Sequence, residues 1–268
     1  MGRKILFFDI DGTIVDTEDR AIPASTVEAI RQARQNGHLV YINSGRPFGG
    51  IDPRVKELGF DGYACGCGIY LRVGDQVLFH RTLDKEVQLA LVELVRKHDL
   101  QVMYEGASHV YFDLSRPLEP HVEAEKAYYG SMGLDTDGDP AAPEAEFDKF
   151  VVWTHEGCDK EGFIREVSQW FTVIHREGTM LEMVPLGCSK GKAMERLMTH
   201  HGLTRADCVA IGDGVNDLPM LETAGLSIAM GSGDPRIFDK VTYVTSGIRE
   251  DGIAKALEKF HIIRSCQR

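Results

Sequence analysis

KILFFDIDGT, residues 4–13, is an apolar run that ends in two carboxylates, Asp9 and Asp11, followed by Gly12 and Thr13. Short apolar runs that stop at a small or polar cluster are typical of strands buried on both faces. Two carboxylates separated by one residue at the end of such a strand repel each other unless a cation or protons compensate them. The stretch therefore predicts a buried strand that delivers two acids to a cation site.

Three further runs along the chain end in the same kind of junction. They are HLVYIN (38–43), CVAIG (208–212) and LSIAM (226–230), and helical patterns lie between such runs. Buried strands that alternate with helices predict an α/β fold, namely a Rossmann-like, doubly wound and mostly parallel sheet. Because ligands of these sheets bind beyond the carboxyl ends of the strands, the polar side chains there are expected to converge. The converging set is Asp9, Asp11, Ser44, Asp213 and Asp217.

The middle of the chain has a different pattern. Residues 69–80 predict a hairpin that turns at Gly74-Asp75. Longer polar connections then separate predicted helices from predicted strands. The helices are 84–98, 120–129 and 159–171, the strands are 109–114, 149–154 and 179–184, and 135–146 is a polar loop. This pattern predicts a smaller α+β domain, residues 84–184, inserted into a core formed by residues 1–83 and 185–268.

Composition narrows the partners and the compartment. The 268 residues carry a formal net charge of −11, which argues against non-specific binding to nucleic acid or to an anionic membrane. No apolar segment reaches the roughly 18 residues of a membrane span, and we identify no signal peptide. The 6 cysteines form no C-x-x-C pair, which favours reduced thiols. We therefore expect a cytoplasmic protein without nucleic-acid or membrane partners, as a monomer or weak homo-oligomer.

A cation and a phosphoryl group together account for the acidic cluster. Mg²⁺ is commonly held by one or two carboxylates together with substrate phosphate oxygens. The segment LGCSKGKAMERL (186–197) predicts a helix with Ser189 as its cap and Lys190 in the first turn. A lysine there opposes the helix dipole, which makes sense if its ammonium group points at an anion. Lys192 is the rival candidate and is expected to be solvated.

Four motifs then appear in a recognisable order: DIDGT (9–13), NSGRP (43–47), SKGKA (189–193) and GDGVNDLPML (212–221). This set resembles the four motifs of the haloacid dehalogenase superfamily. The long insertion between the second and third motifs resembles the type II (IIB) cap of the Cof-like sugar-phosphate phosphatases. The resemblance covers essentially the whole chain, and DxDGT together with GDGxND is highly specific, whereas NSGRP or SKG alone is weak. Cys67 departs from the pattern, because many Cof-like proteins carry Asn near that position.

The resemblance implies a role for each matched residue. Asp9 is implied as the nucleophile that forms an aspartyl-phosphate, and Asp11 as the general acid and later the base. Ser44 and Lys190 are implied to hold the transferring phosphoryl group. The implied Mg²⁺ ligands are Asp9, the backbone carbonyl of Asp11, and Asp213. Asn216 and Asp217 are implied to lie beside these ligands or to orient Lys190. The implied substrate-binding set is Ser44, Gly45, Arg46, Lys190 and Asn216, although Arg46 could equally form a surface salt bridge.

Within that superfamily, the carboxylate at Asp11 favours a phosphatase, which must protonate a leaving group and then activate water. We expect a Mg²⁺-dependent hydrolase of small phosphorylated metabolites, such as sugar phosphates, whose cap selects the leaving group. Residues after Tyr111 and near Lys149 and Glu182 are where we expect that selection. Two alternatives stay open: a phosphomutase or phosphotransferase on sugar phosphates, and a non-catalytic phospho-acceptor or metabolite sensor.

Overall fold

The structure is a computed structural model that describes residues 2–176 and 178–264. Strands β1–β13 and helices α1–α8 are numbered in chain order. The chain divides into two units. The first contains the described residues up to Gly45, then Asp52–Leu78, and those from Ser189 onward; the second contains Arg46–Ile51 and Phe79–Cys188. The predicted domain, residues 84–184, lies within the second unit, which also includes the short segment after Gly45 and a few residues on either side of 84–184.

The first unit is built on an eight-stranded sheet, whose last strand, β5, continues past Leu78 into the chain segment of the second unit. Its strands are β1 (Ile5–Phe8), β2 (Leu39–Asn43), β3 (Gly62–Cys65), β4 (Tyr70–Val73), β5 (Gln76–His80), β11 (Cys208–Gly212), β12 (Leu226–Ala229) and β13 (Tyr243–Val244). Their order is β13-β12-β11-β1-β2-β3-β4-β5. The pairs from β13 to β3 are parallel, and β3 pairs with β4 antiparallel. The prediction of a doubly wound α/β core is confirmed.

Five α-helices accompany this sheet in the part of the chain that is described. They are α1 (Ala24–Gln35), α2 (Pro53–Lys56), α6 (Lys190–His201), α7 (Leu218–Thr223) and α8 (Gly252–Lys259). The predicted cap of α6 is confirmed, because the hydroxyl of Ser189 accepts a hydrogen bond from the backbone N–H of Lys192. Gly202 ends the same helix in the left-handed conformation, where glycine has no Cβ penalty.

The second unit is an antiparallel sheet with helices on both faces. Its strands are β6 (Gln101–Glu105), β7 (Val110–Phe112), β8 (Lys149–Trp153), β9 (Phe171–His175) and β10 (Met180–Pro185), in the order β7-β6-β8-β10-β9. Its helices are α3 (Lys85–Lys97), α4 (Pro120–Ser131) and α5 (Lys160–Val167). Leu91 of α3 and Phe163 of α5 pack with Phe150 on one face. Val122 of α4 packs with Val151 on the other, as strand alternation requires.

One predicted helix of this unit is wrong in its length. Helix α5 ends at Val167, not at Phe171, and Phe171 begins strand β9 opposite Pro185 of β10. An aromatic pair at the end of a helical pattern satisfies either period, and the pairing with β10 decides for the strand. The hairpin at Gly74-Asp75 is confirmed by β4 and β5.

Two compositional expectations concern the whole chain. No helix among the described residues is long and apolar enough to cross a membrane. The described cysteines form no disulfide with one another, and Cys266 lies outside the described residues.

Candidate active site

The candidate site lies where the strand order of the first sheet reverses. The chain runs from β1 outward to β2 and β3, then returns to the other side of β1 with β11 and β12. Asp9 follows β1 directly, and its backbone N–H donates to the carbonyl of Ile211 in β11 at 3.0 Å. Ser44 follows β2, and Asp213 follows β11. The fold therefore brings three of the predicted polar residues to one edge of the sheet.

Lys190 is the centre of this cluster. Its Nζ donates to Oδ1 of Asp9 at 2.7 Å and to Oδ1 of Asp217 at 2.6 Å. The three residues are almost completely enclosed, with Lys190 only 1% exposed. Burying a lysine is costly unless its charge is paired, and here two carboxylates pair with it. Lys192, by contrast, lies on the surface and pairs with Glu195, so the choice of Lys190 over Lys192 agrees with their burial.

Asp217 is held by both of its carboxylate oxygens. While Oδ1 accepts from Lys190, Oδ2 accepts from the backbone N–H groups of Asp213 at 2.9 Å and Gly214 at 3.0 Å. Such a carboxylate fixes both the lysine and the loop after β11. This arrangement suits the orienting role that the resemblance implied for Asp217.

Asp213 is positioned by the loop after β1. The hydroxyl of Thr13 donates to Oδ1 of Asp213 at 3.2 Å. Gly12 lies against the same carboxylate in a left-handed conformation, with φ 75°, and a Cβ there would be 2.2 Å from Oδ2 of Asp213. Only glycine tolerates both the backbone conformation and this close approach. Gly12 and Thr13 of the first motif thus position Asp213, the acid at the start of the fourth motif.

Burial and neighbouring charges raise the pKa of two acids in this cluster, Asp9 and Asp213. Burial first, and then the neighbouring carboxylate of Asp217, raise the pKa of Asp9 to about 7 despite the opposing effect of Lys190. Burial and the charges of Asp9 and Asp217 raise the pKa of Asp213 to about 8. Burial alone would lower the pKa of Lys190, but Asp217 and Asp9 raise it above its usual value. The cluster therefore contains more carboxyl groups than the single ammonium group of Lys190 can neutralise.

A divalent cation fits this donor set. Carboxylate oxygens of Asp9, Asp213 and Asp217 lie within 4.8 Å of one another. Hard oxygen ligands at this spacing suit Mg²⁺. The charge of such an ion, added to that of Lys190, would lower the raised pKa values of Asp9 and Asp213. The bonds already made by Asp217 favour Asp9 and Asp213 as the direct ligands.

Asp11, the predicted general acid, lies at the rim of the cluster. Its side chain is 32% exposed, and Oδ1 accepts a hydrogen bond from Nη1 of Arg20 at 3.0 Å. Its negative charge contributes to the raised pKa of Asp9, so the two carboxylates are close enough to interact. Arg20 was not predicted as a site residue, because no motif surrounds it in the sequence.

The remaining predicted residues differ in where they lie. Ser44 is buried at the end of β2, and its carbonyl accepts from the backbone N–H of Cys67 at 3.0 Å. Gly45 is the last residue of its segment of the first unit. Asn216 is half-buried in the turn that precedes α7. Arg46 belongs to the second unit, where its guanidinium donates to the hydroxyl of Tyr128 at 3.1 Å.

Asn43 is a further residue of the site without a predicted role. It is fully buried at the last position of β2, and Nδ2 donates to the backbone carbonyl of Lys190 at 3.0 Å. This bond ties the second motif to the start of α6. A polar residue that ends an apolar run was the available signal.

The second unit contains a buried charge cluster of its own. Lys149 forms ion pairs with Glu105 and with Glu182, the latter at 3.1 Å, and all three are buried. Arg176 approaches Glu182 at 3.7 Å. Burial raises the pKa of Glu105 against the opposing effect of Lys149. The strands around Lys149 and Glu182 thus hold a buried cluster of paired charges.

Comparison with known proteins agrees with this geometry. The sequence pattern of haloacid dehalogenase-like hydrolases matches residues 6–257. The Bacillus subtilis protein YkrA is 28% identical over 267 residues, covering 98% of this chain and 100% of YkrA. An HMP-PP phosphatase of Serratia proteamaculans is 28% identical over 254 residues, covering 87% of this chain and 86% of that protein.

Among solved structures, the subclass IIB sugar phosphatase BT4131 superposes with a TM-score of 0.82 at 28% identity, covering 97% of this chain and 100% of that one. These similarities confirm the predicted fold class and the prediction of an enzyme. The match to the family pattern over nearly the full length, with its motifs gathered around Lys190, shows that the chain belongs to the haloacid dehalogenase-like hydrolases.

Proposed function

We propose that the protein is a Mg²⁺-dependent phosphatase that hydrolyses small phosphorylated metabolites, sugar phosphates in particular, through an aspartyl-phosphate on Asp9. The observation that carries the proposal is the ammonium of Lys190 bound between Asp9 and Asp217 beside a third acid, Asp213. Catalysis of phosphoryl transfer depends almost entirely on in-line positioning of the reacting groups and on compensation of their charge. A nucleophilic carboxylate with a fixed cation beside it supplies both.

The first half of the reaction transfers the phosphoryl group to the protein. A carboxylate oxygen of Asp9 attacks phosphorus, and the bond from phosphorus to the substrate oxygen breaks. Asp11 gives its proton to that oxygen, so the product leaves as a neutral alcohol. The rim position and partial exposure of Asp11 support this role, because a leaving group must be able to reach it.

The second half of the reaction returns Asp9 to its starting state. The carboxylate of Asp11 takes a proton from water, whose oxygen attacks phosphorus and releases inorganic phosphate from Asp9. Lys190 and Ser44 would bind the equatorial oxygens of the phosphoryl group in both halves. Asp9 and Asp213 would hold a Mg²⁺ ion, which would supply further charge neutralisation for the phosphoryl oxygens.

The second unit is proposed to be the type II cap of this enzyme. The resemblance of its sequence to Cof-like caps supports this, as does the similarity of the chain to the subclass IIB sugar phosphatase BT4131. We propose that it selects the leaving alcohol and so limits the enzyme to small substrates. A cytoplasmic location is proposed from the reduced-thiol composition, and a monomer or weak homo-oligomer from the absence of any need for a partner residue in the mechanism.

Phosphate release from a panel of phosphorylated metabolites, with Mg²⁺ and with EDTA, tests the proposal. We expect Mg²⁺-dependent release by the native protein and loss of release in Asp9→Asn. Asp75→Asn is the matched control, because Asp75 is a fully exposed acid in the hairpin turn. Equal phosphate release by Asp9→Asn and by the control would refute the role of Asp9 as the nucleophile.

Product analysis in the same assay separates the alternatives. An isomeric sugar phosphate with little free phosphate would indicate a phosphomutase. A long-lived phosphoprotein without turnover would indicate a phospho-acceptor or sensor. Either result would overturn the phosphatase proposal while leaving Asp9 as the phosphorylated residue.

A further inference from the structure

The loop after β1 delivers a guanidinium to Asp11. Nη1 of Arg20 lies 3.0 Å from Oδ1 of Asp11, and the two side chains are 31% and 32% exposed. Ion pairs with this exposure contribute little to stability, because solvent screens them. Stabilisation of the fold therefore does not explain this contact. The hydrogen bond does, however, restrict the direction in which the Asp11 carboxyl group points.

The backbone around Arg20 is closed on itself. The N–H of Asp16 donates to the carbonyl of Ala21 at 2.9 Å, and the N–H of Arg20 donates to the carbonyl of Asp16 at 3.0 Å. The carboxylate of Asp19 accepts from the N–H of Ala21 at 2.9 Å. Arg20 itself has a φ of 60°, a left-handed conformation that is uncommon for a residue with a side chain. These bonds hold it there, so the direction in which its side chain leaves the backbone is fixed.

A second arginine anchors this loop to the rest of the first unit. Nε of Arg249 donates to Oδ2 of Asp16 at 2.6 Å, and Nη2 lies 3.0 Å from Glu18 and 3.4 Å from Asp19. Asp16 is itself buried. Arg249, whose side chain is 56% exposed, therefore contacts the loop at three acids, of which only Asp16 is buried. Hydrogen bonds thus connect Arg249, through the loop closed at Asp16, to the carboxyl group of Asp11 at the rim of the site.

We propose that Arg20 is a positioning residue for Asp11, which fixes the orientation in which Asp11 exchanges its proton with the leaving group and with water. This inference rests on the proposed function, since it assumes that Asp11 is the general acid. General acid catalysis depends on a heavy-atom distance of about 3 Å to the group that receives the proton. A freely rotating Asp11 would spend much of its time outside that range.

The test compares substrates that differ in their need for an acid. The leaving group of an alkyl phosphate is an alkoxide, which requires a proton. The leaving group of 2,4-dinitrophenyl phosphate is a stable phenolate, which does not. The measured quantity is kcat/KM, which reports the first transfer to Asp9. We expect Arg20→Gln to lower kcat/KM for the alkyl phosphate by about tenfold or more, within the range that a general acid contributes. For the dinitrophenyl ester we expect a change of less than about threefold.

Three companion variants make the result specific. Arg20→Lys should recover part of the loss, and Arg249→Gln, which frees the loop but keeps Arg20, should show the same selective loss in weaker form. Arg31→Gln is the control, because Arg31 is an exposed arginine paired with Glu28 on α1. We expect it to act on both substrates as the native protein does.

Asp11→Asn separates failure of the inference from failure of the proposed function. If Asp11→Asn shows the selective loss and Arg20→Gln does not, Arg20 is not a positioning residue. Equal losses on both substrates in Arg20→Gln, or a gain in activity, would also overturn the inference. If Asp11→Asn itself shows no selective loss, the general-acid role falls, and the proposed mechanism falls with it.

Discussion

Replacing Lys190 by methionine should destabilise the protein in a strongly pH-dependent way. Methionine keeps most of the unbranched side chain but lacks the terminal ammonium, whose Nζ lies 2.7 Å from Asp9 and 2.6 Å from Asp217. The buried carboxylates of Asp9 and Asp217, with the half-buried Asp213 beside them, then remain without the lysine cation. Breaking a buried ion pair by removing one partner costs about 3–5 kcal/mol, because the remaining charge is uncompensated. We expect a loss of that size in the metal-free protein at about pH 8.

The sign of the pH effect follows from the raised pKa values. In the folded protein the pKa of Asp9 is about 7 and that of Asp213 is about 8. An unfolded aspartate titrates near 3.9. The folded state therefore binds protons more tightly, and both forms of the protein gain stability as the pH falls from about 8 to about 5.5. Without Lys190 these pKa values rise further, so the variant gains more than the native protein does.

The difference in unfolding free energy between the native protein and Lys190→Met should therefore be smaller at low pH. One unit of additional pKa shift corresponds to about 1.4 kcal/mol, so we expect this difference to decrease by about that amount between about pH 8 and about pH 5.5. Urea unfolding with EDTA present, at both pH values, measures it. Far-UV circular dichroism is the suitable signal, because Trp153 and Trp170 both lie in the second unit. Lys192→Met, on the exposed side of the same helix, is the control and should change stability by less than about 0.5 kcal/mol.

A deficit that stays constant or widens toward low pH would refute this reasoning. Such a result would mean that Lys190 stabilises the fold by packing alone, and that the acids beside it are not proton carriers in the metal-free protein. Loss of stability equal to that of the Lys192→Met control would refute the buried pairing itself.

Two further predictions follow from the same electrostatics. The affinity for Mg²⁺, measured by calorimetry, should fall by about tenfold or more between about pH 8 and about pH 6, because Asp9 and Asp213 must lose their protons to bind the ion; an affinity independent of pH would contradict those pKa shifts. Lys149→Met should destabilise the second unit by about 3–5 kcal/mol, since the buried Glu105 and Glu182 would lose their ion pairs with Lys149. Urea unfolding followed by tryptophan fluorescence measures this loss, and an unchanged midpoint would show that the cluster is not a coupled ion-pair network.

Local patterns in the sequence were enough to predict most elements. The helix expected at 84–98 is α3, Lys85–Lys97, because its apolar residues recur at helical spacing. Where a local pattern was compatible with two structures, the prediction failed: Phe171 suits the end of a helix or the start of a strand, and only its pairing with β10 decides for the strand. Strand β6, Gln101–Glu105, was not predicted for a similar reason, since polar residues stand at both of its ends.

The candidate site divides in the same way. The sequence alone determined that acids follow the ends of buried strands and that a capped helix begins at Lys190, because both are properties of contiguous residues. The tertiary structure decided which of these groups meet. Lys190 bonds to Asp9 and Asp217 across 181 and 27 residues of sequence, and Asn43 reaches the backbone of Lys190 across 147.

The contact of Arg20 with Asp11 and the ion pairs of Lys149 could not be predicted from the sequence, for one physical reason. A charged residue in a polar loop or at a strand end has the same local pattern whether it is solvated or paired. Its state depends on which distant group the fold brings within hydrogen-bonding distance and on how much water remains around the pair. Here the loop closed at Asp16 brings Arg20 to Asp11, and strand pairing brings Lys149 opposite Glu105. The sequence determined the chemical groups, and the fold decided their neighbours.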